Sequence, residues 1–193
     1  NGEILEKKYM REGQTPIYSG PAPTMAPDEQ YTYTSFKSWD KEFYQVTGNQ
    51  EYIAVYNTEI NYYTITFLNY NDEVIVSFNM QYGDTPNCGR TPKREADVQY
   101  TYEFIGWDKP FEMVTGNQVY KAVYKATLRE YTVSFLNYDG TTLKSIYVNY
   151  GEIPTYEGEQ PYRYSTQQYD FAFKSWDRPF ETVTGNQTYT AVY

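Results

Sequence analysis

Trp107-Asp108-Lys109-Pro110-Phe111-Glu112-Met113-Val114-Thr115-Gly116-Asn117-Gln118 occurs three times in this chain. Upstream it reads Trp39-Asp40-Lys41-Glu42-Phe43-Tyr44-Gln45-Val46-Thr47-Gly48-Asn49-Gln50, and downstream Trp176-Asp177-Arg178-Pro179-Phe180-Glu181-Thr182-Val183-Thr184-Gly185-Asn186-Gln187. The three tryptophans stand 68 and 69 residues apart. A fixed period means tandem copies of one unit. This one is longer than the usual solenoid repeat, and each copy can hold a small core of its own.

Working outward from that stretch, each copy shows the same strand pattern. Tyr63, Ile65 and Phe67 alternate with Thr64 and Thr66, as in a half-buried strand. Asn69-Tyr70-Asn71-Asp72 supplies turn residues, and Val74–Met80 reads as the return strand of a hairpin. In the third copy Tyr131, Val133 and Phe135 alternate, Asp139-Gly140 turns, and Leu143–Tyr150 returns. A polar crossover follows, with a second proline seven residues before a Gln-Tyr pair: Pro23, Pro92 and Pro161. Thr91 as cap and Pro92 at the first position predict a short helical turn over Pro92–Val98.

The third strand is predicted at Tyr100, Tyr102 and Phe104, and in copy three at Tyr169, Phe171 and Phe173, each leading to Trp. Copy one is one residue longer before Phe36, which predicts a bulge near Thr34-Ser35. The last strand is Tyr120–Tyr124, matched by Tyr52–Tyr56 and Tyr189–Tyr193, with Tyr, Ala and Tyr on one face. A short connection, Lys125 to Glu130, is expected between this strand and the next copy. Aligning Gly13, Gly83 and Gly151 sets Ile4 level with Val74 and Thr142, so the first strand of copy one is expected to be missing.

The chain has 25 Tyr, 10 Phe and 3 Trp, which suits pleated, half-buried surfaces and argues for a β-rich fold. Its net charge of −9 and its lack of His argue against nucleic acid, because phosphate binding needs clustered Lys and Arg. No apolar run reaches the roughly 20 residues of a membrane span. Without a signal peptide or initiator Met, the sequence reads as a piece of a longer protein. Cys88 is the single cysteine, so no internal disulfide forms; the other copies carry Tyr18 and Tyr156 near its place.

The succession Tyr131-Thr132-Val133-Ser134-Phe135, Tyr138-Asp139-Gly140, Tyr150-Gly151, Pro154, a strand ending in Phe-x-Gly-Trp (Phe104 to Trp107), and Thr-Gly-Asn resembles the Listeria–Bacteroides repeat, the internalin B-repeat type. The resemblance covers essentially the whole chain. It departs at the glycine, where the other copies have Ser38 and Ser175. It implies a small β-grasp-like domain on extracellular bacterial proteins and adhesins, no catalysis and no cofactor. The strand pattern itself predicts a mainly β chain of tandem β-grasp-like domains. Each is a four-stranded mixed sheet with a long crossover and with strands one and four parallel at the centre. The expected domains are 1–57 (partial), 58–125 and 126–193, arranged head to tail. Each is expected to advance the chain by roughly 30–40 Å. The expected role is a non-enzymatic stalk or interaction segment at the bacterial cell surface.

Asp40, Asp108 and Asp177 follow Trp, and a Lys or Arg follows each. They could form a repeated cation or glycan contact. The favoured alternative is a strand-end carboxylate accepting backbone N–H groups beside a solvated base. Asn117-Gln118 could bind sugar hydroxyls, although a tight turn explains the pair more simply. Asn71-Asp72-Glu73 brings together too few oxygens for calcium. With no His, an unrepeated Cys and no nucleophile elbow, catalysis has little support, and no Lys recurs at a strand position to favour an isopeptide cross-link. The excess of tyrosine is the feature a simple core explains least. Tyr62, Tyr70 and Tyr138 lie opposite the core face, and Tyr162 and Tyr164 lie in the crossover. Tyr138, Tyr162 and Tyr164 are therefore the candidate contacts for a glycan or a host or cell-surface protein, with cross-pairing on the sheet as the alternative. The incomplete first copy is a candidate for strand exchange.

Overall fold

The computed structural model describes residues 2–193. It holds ten strands in order: β1 Tyr31–Trp39, β2 Ala54–Ile60, β3 Tyr62–Leu68, β4 Val74–Gln81, β5 Tyr100–Trp107, β6 Gln118–Leu128, β7 Glu130–Leu136, β8 Thr142–Asn149, β9 Ser175–Trp176 and β10 Gln187–Val192. There is no helix among the described residues. The Pro92–Val98 turn is corrected accordingly: the Asp97 carboxylate takes the N–H groups of Gln99 and Tyr100, and this local closure competes with a helical turn. Pro23, Pro92 and Pro161 are all buried, so the second proline pins the crossover against its sheet in every copy.

Copies two and three each form a mixed four-stranded sheet, ordered β4-β3-β6-β5 and β8-β7-β10-β9. The first hairpin is antiparallel and the last strand lies parallel to the first: β3 beside β6 from Ile65↔Gln118, β7 beside β10 from Val133↔Gln187. This is the β-grasp order expected from the sequence. The hairpins turn at equivalent places. Gly140 adopts φ 86°, and Asp72 takes the same left-handed position at φ 66°.

Among the described residues copy one holds the antiparallel pair β1-β2. The register shifts between Tyr33 and Ser35, which places the bulge at Thr34 as expected, and again between Phe36 and Ser38. Residues 3–10, level with β4 and β8, form no strand.

Two expectations need correction. The connection expected over Lys125 to Glu130 is mostly strand: β6 runs on to Leu128, as β2 runs past Tyr56 to Ile60. The extension is the ladder partner of the early half of strand three, as Tyr31↔Ile60 and Tyr33↔Thr58 show. In copy three β10 stops at Val192, so only Ser175 and Trp176 pair with it, and Tyr169–Phe173 is not a strand.

By contacts the chain divides into two compact units, Asn1–Arg90 with Trp107–Lys121, and Thr91–Gly106 with Ala122–Tyr193. Each has one core. The first centres on Ile65, Phe67, Cys88, Val114 and Tyr120, the second on Val133, Phe135, Val148, Val183 and Tyr189. Phe67 meets Phe78, Trp107, Phe111 and Tyr120 with ring centroids 4.8–6.1 Å apart. Phe135 meets Tyr156, Trp176, Phe180 and Tyr189 at 4.9–5.7 Å.

Candidate functional site

The repeated Trp-Asp stretch is a seam. Asp40, Asp108 and Asp177 each accept a backbone N–H through Oδ1, from Ile53 at 2.7 Å, Lys121 at 2.8 Å and Thr190 at 2.8 Å. Each also donates its own N–H back to the same residue's carbonyl. The carboxylate thus closes the connection onto the last strand, the structural role favoured over a cation or glycan contact. The base beside it is not merely solvated. Lys41, Lys109 and Arg178 lie 5.1, 4.9 and 4.8 Å over the rings of Tyr52, Tyr120 and Tyr189. Those tyrosines in turn donate to Gln50, Gln118 and Gln187 at 2.7, 2.7 and 2.8 Å. Asn117 and Asn186 accept the N–H groups of Thr64 and Thr132 in strand one. The Asn-Gln pair is therefore committed to the fold rather than presented to a sugar. Asp72 is bonded to Lys121 at 2.6 Å. Among the described residues no three His, Cys, Asp or Glu side chains come together.

The three candidate tyrosines gather at one place in copy three. Tyr162 and Tyr164 pack edge to face at 5.0 Å and remain 60% and 79% exposed. Arg163 between them lies 4.3 Å over Tyr138 and 3.7 Å over Phe171. Tyr138 meets Tyr193 edge to face at 5.7 Å, and the Tyr193 hydroxyl donates to Asn137. Asn137 donates to the Tyr162 carbonyl. A shallow cavity of about 210 Å³ lies beside them, lined by Gln160, Pro161, Tyr162, Phe171, Ala172 and Phe173. The arrangement offers aromatic faces and one oriented guanidinium, with no acid or nucleophile among its lining residues. Copy two has Lys93 and Glu95 where copy three has Tyr162 and Tyr164, so the tyrosine pair belongs to copy three.

The junctions are what sequence reasoning missed. Within the first unit, Asn61 lies between β2 and β3. Its N–H donates to Gln30 O at 2.8 Å, its carbonyl accepts Tyr82 N–H at 2.9 Å, and its amide donates to Asp28 O at 2.7 Å. Within the second unit Arg129 repeats the pattern between β6 and β7: N–H to Gln99 O, carbonyl from Tyr150 N–H, and guanidinium to Asp97 O at 2.8 Å. Tyr63 and Tyr131, one turn of the pleat further on, donate to Glu29 O and Val98 O, both at 2.6 Å. Asp28 and Asp97 accept from Tyr33 and Tyr102 at 2.6 and 2.7 Å. Those hydroxyl bonds, with backbone N–H bonds, hold both carboxyls below their ordinary pKa, and the same contact pushes both tyrosines up. The signal was Asp-x-x-Tyr-x-Tyr in two copies. Copy three reads Thr166-x-x-Tyr169-x-Phe171, so a search for acids common to all three copies passes over it.

No family model matches the chain, and no curated protein matches it either. Among solved structures it is similar to Streptococcal High Identity Repeats in Tandem (SHIRT) domains 3-4 from a cell surface protein. The identity is 18%, over 67% of this chain and 95% of that one, with a TM-score of 0.35. Among the described residues no helix is long and apolar enough to cross a membrane.

Proposed function

We propose that this chain is a non-enzymatic tandem-repeat spacer and interaction segment of a bacterial cell-surface or secreted protein, of the Listeria–Bacteroides repeat type. The observation that carries this reading is the junction. A single residue separates the last strand of one copy from the first strand of the next, and it is bonded to both flanking copies at both junctions. A linker of that kind transmits orientation from copy to copy, which a spacer requires and an enzyme does not. Backbone relaxation measurements test it. Asn61 and Arg129 are expected to be as rigid on the nanosecond scale as the strand interiors; order parameters typical of flexible loops at either residue would refute the spacer reading.

A second reading has its own observation, the exposed Tyr162–Tyr164 pair beside the Arg163 clamp. Here copy three binds a glycan or a cell-surface protein through aromatic stacking. A glycan array with the wild type and with Tyr162→Ala and Tyr164→Ala discriminates. Binding lost in both variants supports the reading, and silence across the array, or binding kept in both, removes glycans from it.

A further inference from the structure

We propose that copy three takes the carboxylate of an acidic sugar, a uronic acid at the end of a glycan, on the Arg163 guanidinium, with Tyr162 and Tyr164 against the sugar ring. This rests on the reading of copy three as a glycan-binding copy and narrows it. Arg163 has a counterpart in copy two. Arg94 lies 3.5 Å over Tyr102, and Arg163 lies 3.7 Å over Phe171, at matching places two residues after the buried proline. Both arginines are half-buried, and the residues on either side are exposed in both copies: Lys93 and Glu95, Tyr162 and Tyr164. Copy two is followed by a further copy, so exposure at these positions does not depend on where the chain ends. Around the shared arginine the charges differ. In copy two Glu95 adjoins Arg94. The Asp97 carboxyl, held low by Tyr102 and by backbone N–H groups, also feels the Arg94 charge. In copy three those two acids are replaced by Tyr164 and Thr166. Thr166 keeps the structural part of the role: its Oγ1 accepts the N–H groups of Gln168 and Tyr169, as Asp97 accepts those of Gln99 and Tyr100. It brings no charge. Asp139, next to Tyr138, takes the N–H and hydroxyl of Thr141. Among the described residues Arg163 forms no ion pair and its guanidinium donates no hydrogen bond.

Copy three has thus kept the arginine, lost the acids beside it and gained two exposed aromatic rings. A guanidinium lying over a ring keeps its N–H groups at its edge, and that planar fork of donors matches the two oxygens of a carboxylate. Tyr138 and Phe171 hold the plane without using a donor. Half-burial makes a charge pair there stronger than one in open water. Tyr162 and Tyr164 pack edge to face at 5.0 Å and leave flat faces for the C–H surface of a pyranose. The shallow cavity of about 210 Å³ shares Tyr162 and Phe171 with this arrangement, which brings ring contact and guanidinium to one place. An extended peptide would draw its main-chain bonds from a strand edge, and residues 160–164 are not a strand. A single carboxylate also suits a chain of net charge −9, which would repel a polyanion.

The test titrates the whole chain with oligosaccharides ending in glucuronic or galacturonic acid, and with the methyl esters of the same sugars, which keep the ring and lose the charge. The acids are expected to bind roughly 10-fold or more tightly than the esters, the factor a charge-assisted hydrogen bond supplies. Arg163→Gln is expected to bring the acids down to the level of the esters. Thr166→Asp restores the acid of copy two at a place where Asp97 shows that the fold accepts it; it is expected to remove the preference for acids while melting stays unchanged. Tyr164→Ala is expected to weaken acids and esters alike. Equal binding of acids and esters would overturn the proposal and leave copy three a binder of neutral glycans. A preference for acids that survives Arg163→Gln would also overturn it, as would binding of a glutamate-rich peptide with none of the sugars. No binding of either sugar form would overturn it together with the glycan reading.

Discussion

Phe135 is 0% exposed and touches four aromatic rings. Replacing it with Ala removes both its transfer free energy and its packing partners, and is expected to cost about 3–5 kcal/mol. Small domains hold only about 5–15 kcal/mol in all, so thermal melting of Phe135→Ala should show copy three unfolding early. Tyr164→Ala, at a position 79% exposed, should stay within about 0.5 kcal/mol. A comparable loss in the two variants would show that the core has been misplaced. Asp72 is a non-glycine residue at φ 66°, where copy three uses Gly140. Its bond to Lys121 joins two exposed side chains and contributes little. Asp72→Gly is therefore expected to raise the stability of copy two by about 0.5–1 kcal/mol, seen as a later denaturant midpoint. The Asp97–Tyr102 pair gives a pH signature with two signs. Asp97 titrates below its ordinary 3.8 because Tyr102 donates to it, so its contribution is present above that value and is lost as pH falls through the depressed one. Tyr102 titrates above its ordinary 10.0 through the same bond, so its contribution is present below 10.0 and is lost as pH rises through the raised value. Protection of the Tyr100 amide should fall at both extremes, and Tyr102→Phe should remove the alkaline limb while only reducing the acid one, since backbone N–H groups also lower the Asp97 pKa.

At the scale of elements each junction residue is bonded to both of its flanking copies. Arg129→Ala removes a charge-assisted bond to Asp97 O and a cation over Tyr131. About 1 kcal/mol is the expected cost, with faster exchange at Gln99 and Tyr150 and little change at β8's far end; no change at Tyr150 would mean that the guanidinium does not set the junction. The strand order was legible in the sequence because Tyr63, Ile65 and Phe67 alternate, Asp139-Gly140 turns, and the long crossover forces the last strand beside the first. The bulge at Thr34 was legible from one extra residue. The junction was not, because its bonds run to backbone carbonyls that any sequence supplies, and only Asp28 and Asp97 hint at them. Tyr169–Phe173 repeats the alternation of Tyr100–Phe104 but forms no strand, since β10 pairs with Ser175 and Trp176 alone among the described residues. For the candidate site, sequence picked out Tyr138, Tyr162 and Tyr164 as outward-facing but did not show that Arg163 ties Tyr138 to Phe171.

For the whole molecule, three copies of one seam mean that most of what recurs is structural. The Asp after each Trp, the base on each Tyr ring and the Gln on each Tyr hydroxyl are committed to closing the fold. What differs between copies is where recognition can lie, and in copy three that is the exposed tyrosine pair. A chain with net charge −9 and no His has little means of holding a polyanion. The spacer role proposed above requires that successive copies be joined stiffly. Small-angle scattering on chains of one, two and three copies tests it most directly. The maximum dimension is expected to grow by a constant step of roughly 30–40 Å per copy, whereas a dimension that grows with a falling step, as in a compact or freely jointed particle, would contradict it.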